Sequence, residues 1–310
     1  MGNINGPEES GSRGNFAFCT LALPMIALEA KGNIDNFFEI LDKYIQLSHD
    51  YLLDRFNMIC QKHVYNYPFS MGQHLYMGSE KLRDNDTIFE ALKNSSLSIG
   101  FVGLAECLTS LIGKHHGESP QAQQLGLLII KHIRAMTDKY IQQDHLNWST
   151  FATPAESCAG RLCKLARKKF GIVQGVTDRD YYTNSNHVPV YYHCSPRHKA
   201  EIEAPYHPLT LGGHIFYVEV DGDATQNPQA IMDIVDLMDE YNIGYGSVNH
   251  NRNRCMDCGY EDASEGLTEC PVCHSHNIDT LQRITGYLVG TTDRWNSGKL
   301  AELHDRIVHK

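Results

Sequence analysis

The sequence predicts a mixed α/β protein, and three observations carry that expectation. Strand-like runs at 15–24, 188–192 and 215–220 alternate with stretches of helical period at 33–64, 119–143 and 227–241, the pattern that builds sheets covered by helices. With 42% hydrophobic and 21% charged residues among 310, the chain has the apolar material for a substantial core. Two Cys-x-x-Cys pairs, at 255–258 and 270–273, set a small metal-binding segment apart near the C-terminus.

Residues 1–14 are turn-rich, with Gly2, Gly6, Pro7, Gly11 and Gly14, and open directly onto the buried strand expected from Asn15 to Pro24. A loop leading straight into a core strand is an expectation of a chain that starts inside a fold. From 33 to 64 the apolar residues Ile34, Phe37, Phe38, Leu41, Ile45, Leu52, Leu53, Phe56 and Ile59 recur at helical spacing. Ser119-Pro120 starts the next long helix, because serine caps the free N–H groups and proline's fixed φ suits the first helical position. Thr153-Pro154-Ala155-Glu156 has the T-x-x-E form of a capping box. The helix after it is expected to turn Leu162 and Leu165 inward and to show Arg161, Lys164, Arg167 and Lys168 to solvent or to a ligand. Val188–Tyr192 and Ile215–Val220 read as strands. Asn227-Pro228 begins a helix with Ile231, Ile234, Val235, Met238 and Tyr241 on its apolar side, stopped by Gly244.

A formal net charge of −10 offers no general attraction to nucleic acid or to an anionic membrane. The first residues are polar and acidic, unlike a signal peptide. The longest apolar run, 97–113, is interrupted by Gly100, Gly103 and Glu106 and is short for a membrane span. Ten cysteines, four of them in paired spacing, suit a reducing compartment, and the expected location is the cytoplasm.

Cys255, Cys258, Cys270 and Cys273 form the strongest local signal. Each C-x-x-C turn delivers two thiolates to one ion, and two such knuckles complete a tetrahedral sulfur cage for structural zinc. His274 and His276 are spare ligands at most. Similar ribbons serve as nucleic-acid modules, but the loop between these knuckles, Gly259-Tyr260-Glu261-Asp262-Ala263-Ser264-Glu265-Gly266-Leu267-Thr268-Glu269, is acidic and would repel a phosphate backbone.

Beyond the cage lies Arg283-Ile284-Thr285-Gly286-Tyr287-Leu288, a glycine within a run of β-formers. The plain reading of Gly286 is a bulge or turn. The other is that its Cα carries a radical, which glycine alone supports without a side chain to keep the centre from flattening. The cage, this hexapeptide and the following Arg294-Trp295-Asn296-Ser297-Gly298-Lys299 closely resemble the C-terminus of the anaerobic (class III) ribonucleoside-triphosphate reductases. Ser12-Arg13-Gly14-Asn15, Gly113-Lys114-His115-His116-Gly117-Glu118, Ala152-Thr153-Pro154-Ala155-Glu156, Thr183-Asn184-Ser185 and Gly244-Tyr245-Gly246-Ser247-Val248-Asn249-His250 resemble segments of that family in the same order.

The resemblance implies part of a ten-stranded α/β barrel of the glycyl radical type. It divides the chain into a barrel portion at 1–250, the zinc site at 251–276, and a glycyl radical loop with a C-terminal helix at 277–310. It implies reduction of ribonucleoside triphosphates, commonly with formate as reductant, and a radical on Gly286 installed by an S-adenosylmethionine-dependent iron–sulfur activase. It places Glu156 beside the ribose as proton acceptor, the helix start Thr153, Ala155 and Ser157 against the substrate, and Asn15 as a polar contact. The bland alternatives are a capping residue for Glu156 and a turn residue for Asn15. His115 and His116 receive no role.

The family's catalytic cysteine lies in a Met-Gly-Cys-Arg-like segment ahead of the Arg-Gly-Asn motif, whereas Met1-Gly2-Asn3 carries no cysteine. The expectation is therefore a C-terminal portion, from a split gene or a truncated form, that needs an N-terminal portion on another polypeptide, forms a dimer when complete, and is inactive alone. An incomplete barrel is expected to expose apolar strand edges. Cys19 is the foremost substitute thiol among Cys19, Cys60, Cys107, Cys158, Cys163 and Cys194, which otherwise read as buried small residues. The rival readings are a glycyl radical lyase of the pyruvate formate-lyase kind, and a non-catalytic module kept for zinc-dependent assembly.

Overall fold

The computed structural model describes residues 2–309 except 10, 223–225, 251, 264–266, 285–286 and 293–294. Strand β1 (Asn15–Ala22) runs through α1 (Leu23–Ala30) into the long α2 (Ile34–Cys60), whose N-cap Asn33 accepts a hydrogen bond from the Asn36 N–H. Two short helices, α3 (Pro68–Gly72) and α4 (Phe89–Leu92), lead to β2 (Ser96–Val102) and α5 (Leu104–Ile112). Then come α6 (Pro120–Asp144), β3 (Asn147–Ala152), α7 (Glu156–Phe170), α8 (Pro196–Glu203), β4 (Phe216–Glu219), α9 (Pro228–Glu240) and β5 (Gly246–Asn249). The chain ends with β6 (Arg252–Cys255), β7 (Glu261–Asp262), β8 (Ile278–Ile284), β9 (Tyr287–Thr291) and α10 (Ser297–Asp305).

Strands β1, β2 and β3 form a parallel sheet in that order, β4 and β5 a parallel pair, and β7-β6-β8-β9 an antiparallel sheet. In the parallel sheet Thr20 is level with Gly100, and Gly100 with Phe151, so alternation gives each strand two unlike faces. Leu21, Ile99, Phe101 and Trp148 face the helices and pack with Phe37, Leu41, Ile45 and Leu52 of α2 and Ile129, Ile130 and Ile133 of α6. The opposite face carries Phe18, Thr20, Ser98, Gly100, Ser149 and Phe151. Beyond β3 the main chain of 212–213 continues the ladder, Gly212 N–H to the Thr150 carbonyl and Ala152 N–H to the Gly213 carbonyl, and leads into β4. A second core unites Ala200, Phe216, Val218, Ile234 and Leu237.

Among the described residues β1 pairs on one side only, and Phe18 is 51% exposed. The strand is thus half-buried rather than buried throughout, and the apolar edge expected of a partial barrel is present. No helix among the described residues is long and apolar enough to cross a membrane.

Several local expectations fail. Val188–Tyr192 is not a strand: the segment 181–190 is wholly buried and irregular, and its backbone bonds to side chains and to distant loops. The Val188 N–H donates to Glu203 Oε1 at 2.9 Å, the Thr183 N–H to Glu106 Oε1 at 2.8 Å, and the Val190 carbonyl accepts from Ile307; Pro189 has no N–H to give a ladder. In α7, Leu165 is 46% exposed, while Ala159, Gly160, Cys163 and Ala166 face inward. Small residues win that face because α7 lies against the 177–182 segment and α10. Arg167 is not simply solvated either, since it donates to the Thr177 and Arg179 carbonyls and to Asp180. On α9 the buried positions are Ile234 and Leu237, Val235 is 48% exposed, and the helix ends at Glu240, ahead of Gly244.

Buried histidines give the fold a pH dependence. Burial pulls His116 and His207 down to about 3 and His309 to about 4, so the folded state holds them neutral below the ordinary value near 6.5. The unfolded chain then binds more protons between those limits, and stability falls as pH drops. The melting temperature is expected to decline from pH 6.5 toward 4, with a shallower slope in His207→Gln. A flat profile over that range would contradict the assignment.

Candidate active site and metal centre

Helix α7 starts at the rim of the open sheet face, where β3 ends. The capping box does not form: the first helical residue is Glu156, the N-cap is Ala155, and no side chain caps the helix. Thr153 instead shares a hydrogen bond with Thr20 of β1, Oγ1 to Oγ1 at 3.0 Å. A Cβ on Gly100 would lie 2.0 Å from that Thr153 oxygen, so the bare glycine on β2 is what admits the threonine pair. Glu156 is therefore not spent on a cap. Its Oε1 is buried and has no hydrogen-bond partner among the described residues, an arrangement that costs free energy unless something else meets the carboxylate. Burial raises its carboxyl above the ordinary range, Lys299 opposes that shift, and Glu302 adds to it.

The remaining residues expected at this site are placed unevenly. Thr153 and Ala155 are buried, and Ser157 is exposed with its Oγ accepting from Asn296 Nδ2 at 3.5 Å. Asn15 is not brought to them. It opens β1, five residues before Thr20, which at strand rise is about 16 Å away, and its amide sits within 3.1 Å of the Ser96 carbonyl and 3.3 Å of the Ala17 carbonyl. Cys19 points to the helix side of the sheet, opposite to Thr20, and lines an apolar cavity of about 430 Å³ with Met25, Ile26, Tyr44, Leu47 and Tyr51. Cys107 and Cys163 are buried, and burial carries Cys60 up to about 12 and Cys163 up to about 11. Neither setting activates a thiol.

The four cysteines of the cage do converge, their sulfurs all lying within 4.8 Å of one another. The Cys255–Cys273 and Cys258–Cys270 sulfurs are 3.5 Å apart, close to the ~3.8 Å edge of a tetrahedron with zinc–sulfur bonds of about 2.3 Å. The donor set fits zinc, and leaves it no open position. Asp257 of the first knuckle accepts from Ser275 Oγ and from Asn277 Nδ2, both beyond the second knuckle, which ties the two together. His274 bonds Glu269 and His276 bonds the Thr268 carbonyl, so neither turns to the cage. Cys255 pairs with Ile278, setting the register of β6 against β8. Strand β8 ends at Ile284, paired with Tyr287 of β9; Gly286, between them, lies outside the described residues.

The profile of the family described as anaerobic ribonucleoside-triphosphate reductase matches residues 2–309. The chain belongs to that family. It is 33% identical over 321 aligned positions to the anaerobic ribonucleoside-triphosphate reductase of Salmonella typhimurium, covering 99% of this chain and 44% of the relative. To that of Enterobacteria phage T4 it is 30% identical, covering 98% and 50%. The chain thus spans half or less of the length of these relatives. In fold it is similar to a solved anaerobic ribonucleotide reductase, with a TM-score of 0.77 at 21% identity over 96% of this chain and 45% of that one. A Thermotoga maritima anaerobic ribonucleotide reductase with dATP bound in the specificity site gives 0.70 at 22%, over 90% and 44%.

In this reductase-family chain, sequence reasoning missed the buried charges that act on Glu156. Lys299 and Glu302 of α10 are buried, 1% and 2% exposed, and joined by a 2.6 Å bond. Asn184 Nδ2 donates to Glu302 at 3.4 Å. A lysine and a glutamate three apart on a short helix read as a surface pair, so the only available signal was the glycine before them, Gly298, whose absent side chain marks a close approach.

Proposed function

We propose that the chain acts as the C-terminal part of an anaerobic ribonucleoside-triphosphate reductase, with Gly286 as the radical carrier and the Cys255, Cys258, Cys270 and Cys273 cage holding structural zinc. What supports this reading is that the paired strands β8 and β9 lie between two anchors: the cage on the N-terminal side, and on the C-terminal side α10, where the preceding Asn296 bonds Ser157 at the start of α7. The cage positions the hairpin; it has no part in the chemistry.

In this scheme an S-adenosylmethionine-dependent iron–sulfur activase removes a hydrogen atom from the Gly286 Cα. The glycyl radical generates a thiyl radical on a cysteine supplied by a companion N-terminal portion, which also completes the barrel along the open edge of β1. The thiyl takes the 3′-hydrogen of a ribonucleoside triphosphate. Glu156 accepts the proton of the ribose hydroxyl next to it, and the free N–H groups at the start of α7, with Thr153, Ala155 and Ser157 around them, receive the phosphates. The 2′-hydroxyl leaves as water, and formate, oxidised to carbon dioxide, supplies the two electrons of the reduction. Asn15 keeps a weaker role as a substrate contact from the far end of β1. The complete enzyme is a cytoplasmic dimer.

The test is an anaerobic electron paramagnetic resonance spectrum after incubation with a matching activase, S-adenosylmethionine and a reductant. A doublet in the wild type that is lost in Gly286→Ala is the expected result. A zinc-loaded, folded chain giving no signal even with the N-terminal portion supplied would sink the radical assignment and favour the assembly module.

A further inference from the structure

Helices α7 and α10 touch backbone to backbone. A Cβ on Gly160 would lie 3.2 Å from the Gly298 Cα, and one on Gly298 3.0 Å from the Gly160 Cα; neither helix has room for a side chain there. Two polar contacts flank the crossing, Asn296 to Ser157 and Lys164 Nζ to Ser297 Oγ at 3.1 Å. The contact buries the residue after Gly298. Lys299 bonds Glu302, whose other oxygen accepts from Arg306 at 3.0 Å, and Arg306 in turn lies 3.6 Å from Glu219 of β4. The charges of this network act on Glu156, whose buried Oε1 lacks a partner among the described residues. With Glu156 included, the cluster holds three carboxylates and two cations, so the carboxylate outside the bonded pairs depends on how the others are arranged.

We propose that α10 is a charged latch on the start of α7, with Lys299 as a positioning residue for Glu156, so that seating of the C-terminal tail sets the charge environment of that carboxylate. The charged groups bearing on Glu156 are Lys299 and Glu302, both from α10; Cys158 on its own helix feels Lys299 as well, and from the 181–190 segment the uncharged Asn184 bonds Glu302. An unseated α10 takes both Lys299 and Glu302 away from Glu156 and opens the start of α7 to water, so the carboxylate loses the charge environment it has in the seated state. Because α10 follows β9 in the chain, displacement of the tail would change the state of this base during turnover. That consequence for turnover rests on the proposed role of Glu156; the latch itself does not.

The two α10 charges act on Glu156 with opposite sign, which gives the test. In the intact chain with ¹³C-carboxyl glutamate, the Glu156 resonance is assigned by its loss in Glu156→Gln and titrated by NMR. Lys299→Met is expected to move its midpoint up by about one pH unit or more, Lys299→Arg to restore it, and Glu302→Gln to move it down. Midpoints unchanged in folded variants, or moving the same way in both, would overturn the latch. Should Lys299→Met not fold, Glu302→Gln decides alone: a downward shift supports the proposal, and any other result refutes it. Turnover retained in Glu156→Gln would instead remove the catalytic role and leave the latch standing.

Discussion

Replacing Glu156 by glutamine is expected to lower deoxynucleotide formation by about 10²- to 10⁴-fold, the usual worth of a positioned general base, while leaving the Gly286 radical signal intact. Glutamine keeps the size and the polarity of the side chain but cannot take a proton. The structure makes this substitution informative because Glu156 has no capping duty: Ala155 is the N-cap, and Thr153 is engaged with Thr20 across the sheet. A cap residue would lose about 1 kcal/mol of stability on replacement and little else. The measurement is turnover of ribonucleoside triphosphate by the activated chain with its companion N-terminal portion, alongside the radical spectrum and a thermal melt. Turnover within a few-fold of wild type would remove Glu156 from the chemistry.

Cys270→Ser is expected to reduce bound zinc from about one equivalent per chain to near zero, and to abolish the radical doublet without lowering the main unfolding transition. Closed four-thiolate sites in small peptides bind zinc with an apparent free energy on the order of 10–16 kcal/mol, most of which is folding free energy of the surrounding segment. Here that segment is local. Cys270 is fully buried, yet the cage residues belong to the small antiparallel sheet, not to the core built on β1–β3, α2 and α6. Metal analysis and hydrogen exchange check this: rapid exchange across 252–284 should appear while α2 and α6 stay protected. Full zinc occupancy, or a hairpin as protected as before, would mean that three ligands suffice and the cage is not what holds the hairpin.

Much of the fold can be read from the chain because the interactions that specify it are short in sequence. The period of Phe37, Leu41, Ile45, Leu52 and Phe56 matches the buried face of α2, and Asn33 and Ser119 cap the helices that follow them. The same holds for β2, where Leu97, Ile99 and Phe101 alternate onto the helices. Val188–Tyr192 misled for the complementary reason. A β-branched, aromatic run is the mark of burial as much as of a strand, and here Glu203 and Glu106, far away in sequence, take the hydrogen bonds that a ladder would have used. On α7, Leu165 gave up the buried face to Ala159, Gly160 and Cys163 because the partner backbone comes too close for leucine.

The cysteine cage was determined by the sequence alone. Each knuckle closes within four residues, and the chemistry of four thiolates leaves little choice of ligand geometry, so spacing suffices. The candidate active site was not. Whether Thr153 caps its helix or pairs with Thr20 depends on Gly100 leaving a space one strand away. Whether Glu156 stands alone or beside a cation depends on two glycine backbones meeting between segments whose nearest hydrogen-bonded residues, Asn296 and Ser157, are 139 positions apart. Charge is the reason for the difference. A carboxylate's state is set by the charges around it in space, and only the tertiary structure brings those of Lys299 and Glu302 to bear on Glu156.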